Sequence, residues 1–326
     1  MRKALLIGIN NYPDGFKLRG CIEDINCLEK AIERNGDGSL NFEVKKLPNV
    51  QSNREVMSGV RELFNDNSEM ALLYFSGHGY VNETGAEIVT PDGVRDADQY
   101  YKGIQMKDIM DVVNKSKVKN KIVIFDCCHA GNLGKFDISE SGSGLSTGVS
   151  LLLACREDEF ATEMGGHGIF TEQLCNALEG GAADPTGNIT VGGVYAYIDR
   201  AFGAWGQRPV FKTNVTEFAA IKKVKPEVSL EDIKKIIELF SDMDNELPLD
   251  PSYEFTNTPD EKHKVFEPYA DVNNVAKFKV LQKLHGIGLV NPVGTPHMYF
   301  AAMESRSCRL TELGKYYWRL VKNKKI

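Results

Sequence analysis

Short apolar runs separated by amphipathic segments set the tightest constraint on what the first two-thirds of this chain can become. Ala4–Ile9 reads as a strand, and Ile22–Arg34 as a helix with Ile22, Ile25, Leu28 and Ile32 on one face. Phe42–Leu47 and Asn53–Phe64 repeat the pair, and Met70–Phe75 is a run apolar at every position. A looser stretch, Gly85–Gly103, precedes a helix over Met106–Asn114 and a further strand over Lys121–Phe125. After a Gly- and Ser-rich interval come the strand Val149–Ala154, helices near Ile169–Leu178 and Val191–Phe202, and two edge strands, Pro209–Phe211 and Phe218–Ile221. Strands buried on both faces and alternating with helices predict an α/β fold, a mostly parallel central sheet flanked by helices.

The chain has 326 residues and 42% hydrophobic content, enough for one large core and a small second domain. A net charge of −6 argues against general nucleic-acid binding. Seven cysteines are an odd number without scaffold-like spacing, so a reduced state is expected. The opening apolar run is too short for a secretory leader, and no run approaches the roughly 20 residues that span a bilayer. A soluble, cytoplasmic protein with no membrane partner is the expectation.

The domain boundary is expected in Lys222–Pro226, giving residues 1–224 and 225–326. Ser229 can cap a helix running to about Phe240, and a polar, Pro-containing segment follows. A helix over Asp271–Leu284, β-prone runs at Gly288–Val290 and Met298–Ala302, and a helix over Thr311–Val321 predict a small α+β module of winged-helix-like order. Between Val272 and Ile326 ten basic side chains face only Glu304 and Glu312. Such a face suits phosphates, a protein partner or the solvent; a regulatory protein partner is expected ahead of nucleic acid.

Two segments carry chemistry, each at the carboxyl end of an expected central strand. One is Tyr74-Phe75-Ser76-Gly77-His78-Gly79, the other Phe125-Asp126-Cys127-Cys128-His129-Ala130-Gly131. Ligands of parallel sheets bind in the crevice beyond these ends. A thiol becomes an effective nucleophile beside a base, and an imidazole can also protonate a leaving amine. Glycines around His78 allow a sharp turn, and the amides of Gly79 and Cys128 are candidates for an oxyanion hole.

These segments resemble those of the caspases and, more closely, the prokaryotic metacaspase-type proteins of peptidase clan CD, family C14. "YFSGHG" is similar to their histidine motif and "DCCHAG" to their "D-x-C-H-S-G". Cys128 follows His78 by 50 positions, near the caspase spacing. "GINNY", "GCIEDI" and "GGHGIFTEQL" extend the resemblance over about residues 1–221. It implies a caspase-like sandwich with a large-subunit-like part (1–132), a flexible loop (133–147) and a small-subunit-like part (148–224). It implies a cysteine endopeptidase with Cys128 as nucleophile and His78 as its partner, Cys127 taking the variable buried position. His129 and His167 are expected to be structural.

By the same resemblance Asp24, Asp126, Ser76 and Cys21 line an acidic pocket for the residue before the cut. Protein or peptide substrates with Arg or Lys there are implied, since paired carboxylates suit a guanidinium or an ammonium. Lys135, the basic residue of the Gly/Ser-rich loop, is the candidate for autoprocessing. Asp92, Asp96, Asp98 and Asp108 raise a calcium reading, but Lys107 stands where the family pairs acids, so no metal and no cofactor is expected. The rival is an inactive caspase-like scaffold or regulator acting through its C-terminal module.

Overall fold

A computed structural model describes residues 1–13, 16–83, 85–93, 102–127, 144–154, 163–164, 167–203, 208–216, 219–259 and 264–326. Its packing separates two compact units, Met1–Lys225 and Pro226–Ile326.

In the first unit the elements run β1 (Arg2–Gly8), α1 (Cys21–Glu33), β2 (Glu43–Pro48), α2 (Asn53–Leu63) and β3 (Met70–Ser76). Then follow β4 (Gly79–Asn82), β5 (Gly85–Ile88), β6 (Ile104–Gln105), α3 (Met106–Lys115) and β7 (Asn120–Asp126). The unit closes with β8 (Val149–Leu153), β9 (Glu163–Met164), β10 (His167–Gly168), α4 (Ile169–Asn176), β11 (Asn188–Thr190), α5 (Val191–Phe202), β12 (Val210–Asn214) and β13 (Ala220–Lys223). The central sheet has the order β12-β8-β7-β3-β1-β2. Every neighbour in it is parallel except the edge strand β12, antiparallel to β8.

Alternation along each strand sends side chains to two separate cores. Leu5, Ile7, Leu73, Phe75, Val123 and Phe125 pack with Val56 and Val60 of α2 and Ile109 and Val113 of α3. Their neighbours Ala4, Leu6, Leu72, Tyr74, Ile122 and Ile124 pack with Ile25 and Leu28 of α1, Leu174 of α4 and Val194 and Ile198 of α5. Both faces of the sheet are therefore covered, which explains why β3 is buried at all seven positions. Removing one such side chain, as in Leu73→Ala, should cost about 2–5 kcal/mol.

The ends of the strands are level. Gly8 of β1 pairs with Ser76 of β3, and Ser76 with Asp126 of β7. The crevice beyond the sheet thus opens at one height across three adjacent strands.

Three sequence expectations need correction in these two units. The first residues of the stretch Gly85–Gly103, expected to be loose, form β5, the middle strand of a three-stranded antiparallel sheet with β4 and β6 on its two sides, and Gly85 takes a positive φ of 136° at its start. The second closing strand, β13, pairs with β11 and lies outside the central sheet. In the second unit the expected strand at Met298–Ala302 is a helix. Met298, Ala301 and Ala302 are buried while Tyr299 and Phe300 are exposed, the spacing of a helix face and not of a strand.

The second unit contains α6 (Leu230–Lys234), α7 (Ile236–Leu239), β14 (Leu247–Pro248), α8 (Val272–Gly286), β15 (Val290–Pro292), α9 (Met298–Met303), β16 (Ser307–Leu310) and α10 (Glu312–Lys322). Ser229 caps α6 by accepting from the Asp232 amide, as its position suggests, but the helix breaks at Lys235. Its strands form a small antiparallel sheet in the order β14-β16-β15. Phe240, Phe278, Leu281 and Leu284 centre its core. Among the described residues no helix is long and apolar enough to cross a membrane.

Candidate active site

His78 stands two residues beyond β3 and enters β4 at once, so the sharp turn at Gly77 fixes where its ring begins. The Nε2 atom lies 2.8 Å from the backbone carbonyl oxygen of Phe16. A carbonyl only accepts, so Nε2 carries the proton and, in the neutral ring, the lone pair resides on Nδ1. The Tyr12 ring lies against the imidazole, with centroids 4.5 Å apart. Gly79, the oxyanion-hole candidate, opens β4 opposite Ile88.

Asp24, in the first turn of α1, is buried; Ser76 donates to its Oδ2 at 2.9 Å and the Gly168 amide to its Oδ1 at 3.1 Å. Asp126, the last residue of β7, is buried as well and accepts from Thr171 Oγ1 at 2.6 Å. Thr171, with its proton so placed, lies 2.5 Å from the Tyr74 hydroxyl, which is also 3.4 Å from Asp126 Oδ2. A Cβ on Gly168 would sit 2.9 Å from Asp126 Oδ2 and 3.4 Å from Asp24 Oδ2. Both carboxylates therefore border one point, no further apart than those distances together allow.

The local field is negative. Burial pushes the Tyr74 phenol well above the ordinary tyrosine range, and the charges of Asp126 and Asp24 push it further. Tyr74 thus remains a neutral hydroxyl. Cys21, also buried, opens α1 with its amide on the Asn10 side-chain oxygen at 3.0 Å. Its backbone closes on the end of β1, where a Cβ on Gly8 would meet the Cys21 carbonyl oxygen.

The four pocket candidates Asp24, Asp126, Ser76 and Cys21 accordingly gather at the level strand ends. Sequence reasoning missed three of their partners, Thr171, Gly168 and Tyr74. The first two lie in "GGHGIFTEQL", but nothing in that string assigns them a role. Cys127 is buried, whereas Cys128, His129, Lys135, Asp96 and Asp98 lie outside the described residues, as does the side chain of His167.

Asp92 accepts from the amide of Asn53, at the start of α2, at 3.0 Å and from Thr90 Oγ1 at 2.6 Å. Asp108 lies in the first turn of α3. Among the described residues no three His, Cys, Asp or Glu side chains converge on a point that would hold a metal ion.

A mostly parallel six-stranded sheet with helices on both faces is the architecture of the caspase-like class. A solved protein from Geobacter sulfurreducens shares the fold with a TM-score of 0.51 at 19% identity, over 69% of this chain and 98% of its own. Caspase-1 from Spodoptera frugiperda does so with a TM-score of 0.50 at 14% identity, over 69% and 90%. The caspase-domain family model matches residues 1–235, and the chain belongs to that family, the C14 peptidases, a group of cysteine-type hydrolases. It is similar to metacaspase-6 of Arabidopsis thaliana, 26% identical over 62% of this chain and 58% of that protein. It is also similar to metacaspase-4 of the same plant, 30% identical over 43% and 37%. The chain thus spans 58% of one metacaspase and 37% of the other.

Proposed function

We propose that this chain is an endopeptidase that cuts proteins after Arg or Lys, with Cys128 as nucleophile and His78 as acid and base. The pairing of Ser76 with Asp126 carries the reading. In the sequence, His78 and Cys128 each follow a residue of that rung by two positions.

In this reading the Cys128 sulfur gives up its proton to the free nitrogen of His78 and attacks the scissile carbonyl. Amides near Gly79 and Cys128 take the developing oxyanion, each worth roughly 3–4 kcal/mol at the transition state. His78 then protonates the leaving amine, the thioester remains on Cys128, and water attacks it with His78 now as base. The Phe16 carbonyl supports both steps, because it holds one ring proton in place and accepts it equally well when the ring is cationic. Asp24 and Asp126 receive the side chain before the cut. Two buried carboxylates on one wall match a guanidinium or an ammonium and repel an aspartate.

Reporter peptides with Arg, Lys or Asp before the label test this proposal. The wild type should turn over the first two and not the third. Cys128→Ala and His78→Ala should each abolish turnover, and Cys127→Ala should keep most of it. Equal turnover by Cys128→Ala would remove Cys128 as the nucleophile, and none by the wild type on any basic reporter under activating conditions would favour a scaffold over an enzyme.

A further inference from the structure

The structure assigns Tyr12 as a positioning residue for His78, an inference that rests on the catalytic role proposed for that histidine. Its hydroxyl accepts a hydrogen bond from the His78 amide at 2.9 Å and donates to the Val89 carbonyl at 3.1 Å. The reverse bond of the same rung, Val89 amide to His78 carbonyl, is made directly at 2.9 Å. Paired residues at such a rung of an antiparallel ladder ordinarily exchange both bonds. Here the phenol is wedged into one of them, so β4 and β5 splay where the histidine leaves the sheet.

The wedge fits because residue 77 is glycine. A Cβ there would lie 2.5 Å from the Tyr12 hydroxyl oxygen. Tyr12 is 3% exposed, and its ring also packs on the imidazole. Burial raises its phenol far above the ordinary range, against the lowering effect of the His78 amide, so the hydroxyl keeps both of its bonds at any working pH.

Tyr12 also ties the two supports of His78 together. It belongs to the loop that supplies the Phe16 carbonyl, a loop pinned at its base by the Asn10 and Asn11 amides on Asn49 Oδ1 at 2.8 and 3.0 Å. One side chain thereby holds the backbone amide of His78 and packs against its ring, in the same loop as the carbonyl that faces Nε2. Losing the hydroxyl should leave the imidazole present but misdirected, which slows chemistry more than binding.

Steady-state kinetics of Tyr12→Phe on an Arg reporter should show kcat reduced about 10- to 100-fold with KM within about twofold of wild type. Nitrogen-15 spectra of histidine-labelled protein, with His78→Gln identifying the signal, should show the Nε2-protonated form in wild type and a mixture of ring forms in Tyr12→Phe. Gly77→Ala, which displaces the hydroxyl without removing it, should reproduce the kcat loss and decides the matter if Tyr12→Phe does not fold. An unchanged kcat in folded Tyr12→Phe beside an inactive His78→Gln would overturn the assignment of Tyr12, as would a loss confined to KM. Activity in His78→Gln would instead overturn the catalytic reading of the histidine.

Discussion

Asp126 and Asp24 accept hydrogen bonds from different groups, and that difference makes the proposed pocket testable. Asp126 takes a short bond from Thr171, a hydroxyl that is itself buried and backed by Tyr74. Asp24 accepts from the Ser76 hydroxyl and from the Gly168 backbone amide. A hydrogen bond to a charged group contributes about 1.5–3 kcal/mol, so Asp24→Asn or Asp126→Asn should lower kcat/KM for an Arg reporter roughly 10- to 100-fold. Thr171→Val keeps the charge but frees the carboxylate, and should cost about tenfold at most. Kinetics on matched Arg and uncharged reporters checks this, because only the Arg reporter should suffer. An Asp126→Asn enzyme with undiminished Arg turnover would remove Asp126 from the pocket.

Helix α1 carries Asp24 and Cys27 one turn apart, and α4 carries Thr171 and Cys175 in the same way, so the helices that carry Asp24 and Thr171 also meet through two thiols. A hydrogen bond from Cys175 lowers the half-buried Cys27 thiol to about 7, while the same bond and burial push Cys175 up. A thiol lowered that far is about half thiolate at neutrality, so alkylation of Cys27 should rise with pH to a midpoint near 7 and then level off. Iodoacetamide labelling of Cys128→Ala protein, followed by peptide mass spectrometry, measures this midpoint. In Cys175→Ala the midpoint should move up towards the ordinary thiol range; a midpoint that stays put would break the link between the helices. The alternation of apolar runs made this layering legible, because a strand buried on both faces leaves a continuous apolar signature. Short elements were not legible in the same way. Met298–Met303 offers only six residues, too few for strand and helix periods to separate, and tertiary packing chose the helix. Thr171 stayed hidden for a different reason: it meets Asp126 across 45 positions of sequence, and no local pattern encodes such a contact.

At the scale of the whole chain, the question is what a cut would do to a sheet whose strands come from both sides of it. The segment between β7 and β8 contains one basic side chain other than histidine, Lys135, which matches the pocket proposed above. It lies only seven positions after Cys128, a short tether for reaching its own cleft, so cleavage by a neighbouring molecule is the expected route. Cutting there would not release a fragment. β8 lies between β7 and β12 and is buried at all five positions, and burying each of its large aliphatic side chains contributes roughly 1.5–3 kcal/mol. Denaturing gels of active enzyme should therefore show two fragments, the first ending at Lys135, while size exclusion under native conditions shows cut and uncut protein eluting together. The fraction cut per unit time should rise with enzyme concentration, and Cys128→Ala protein should stay intact alone but be cut when wild type is added. Lys135→Ala should resist under both conditions. An active enzyme that runs as a single 36.3 kDa chain on denaturing gels at every concentration would show that the peptidase works without this cut.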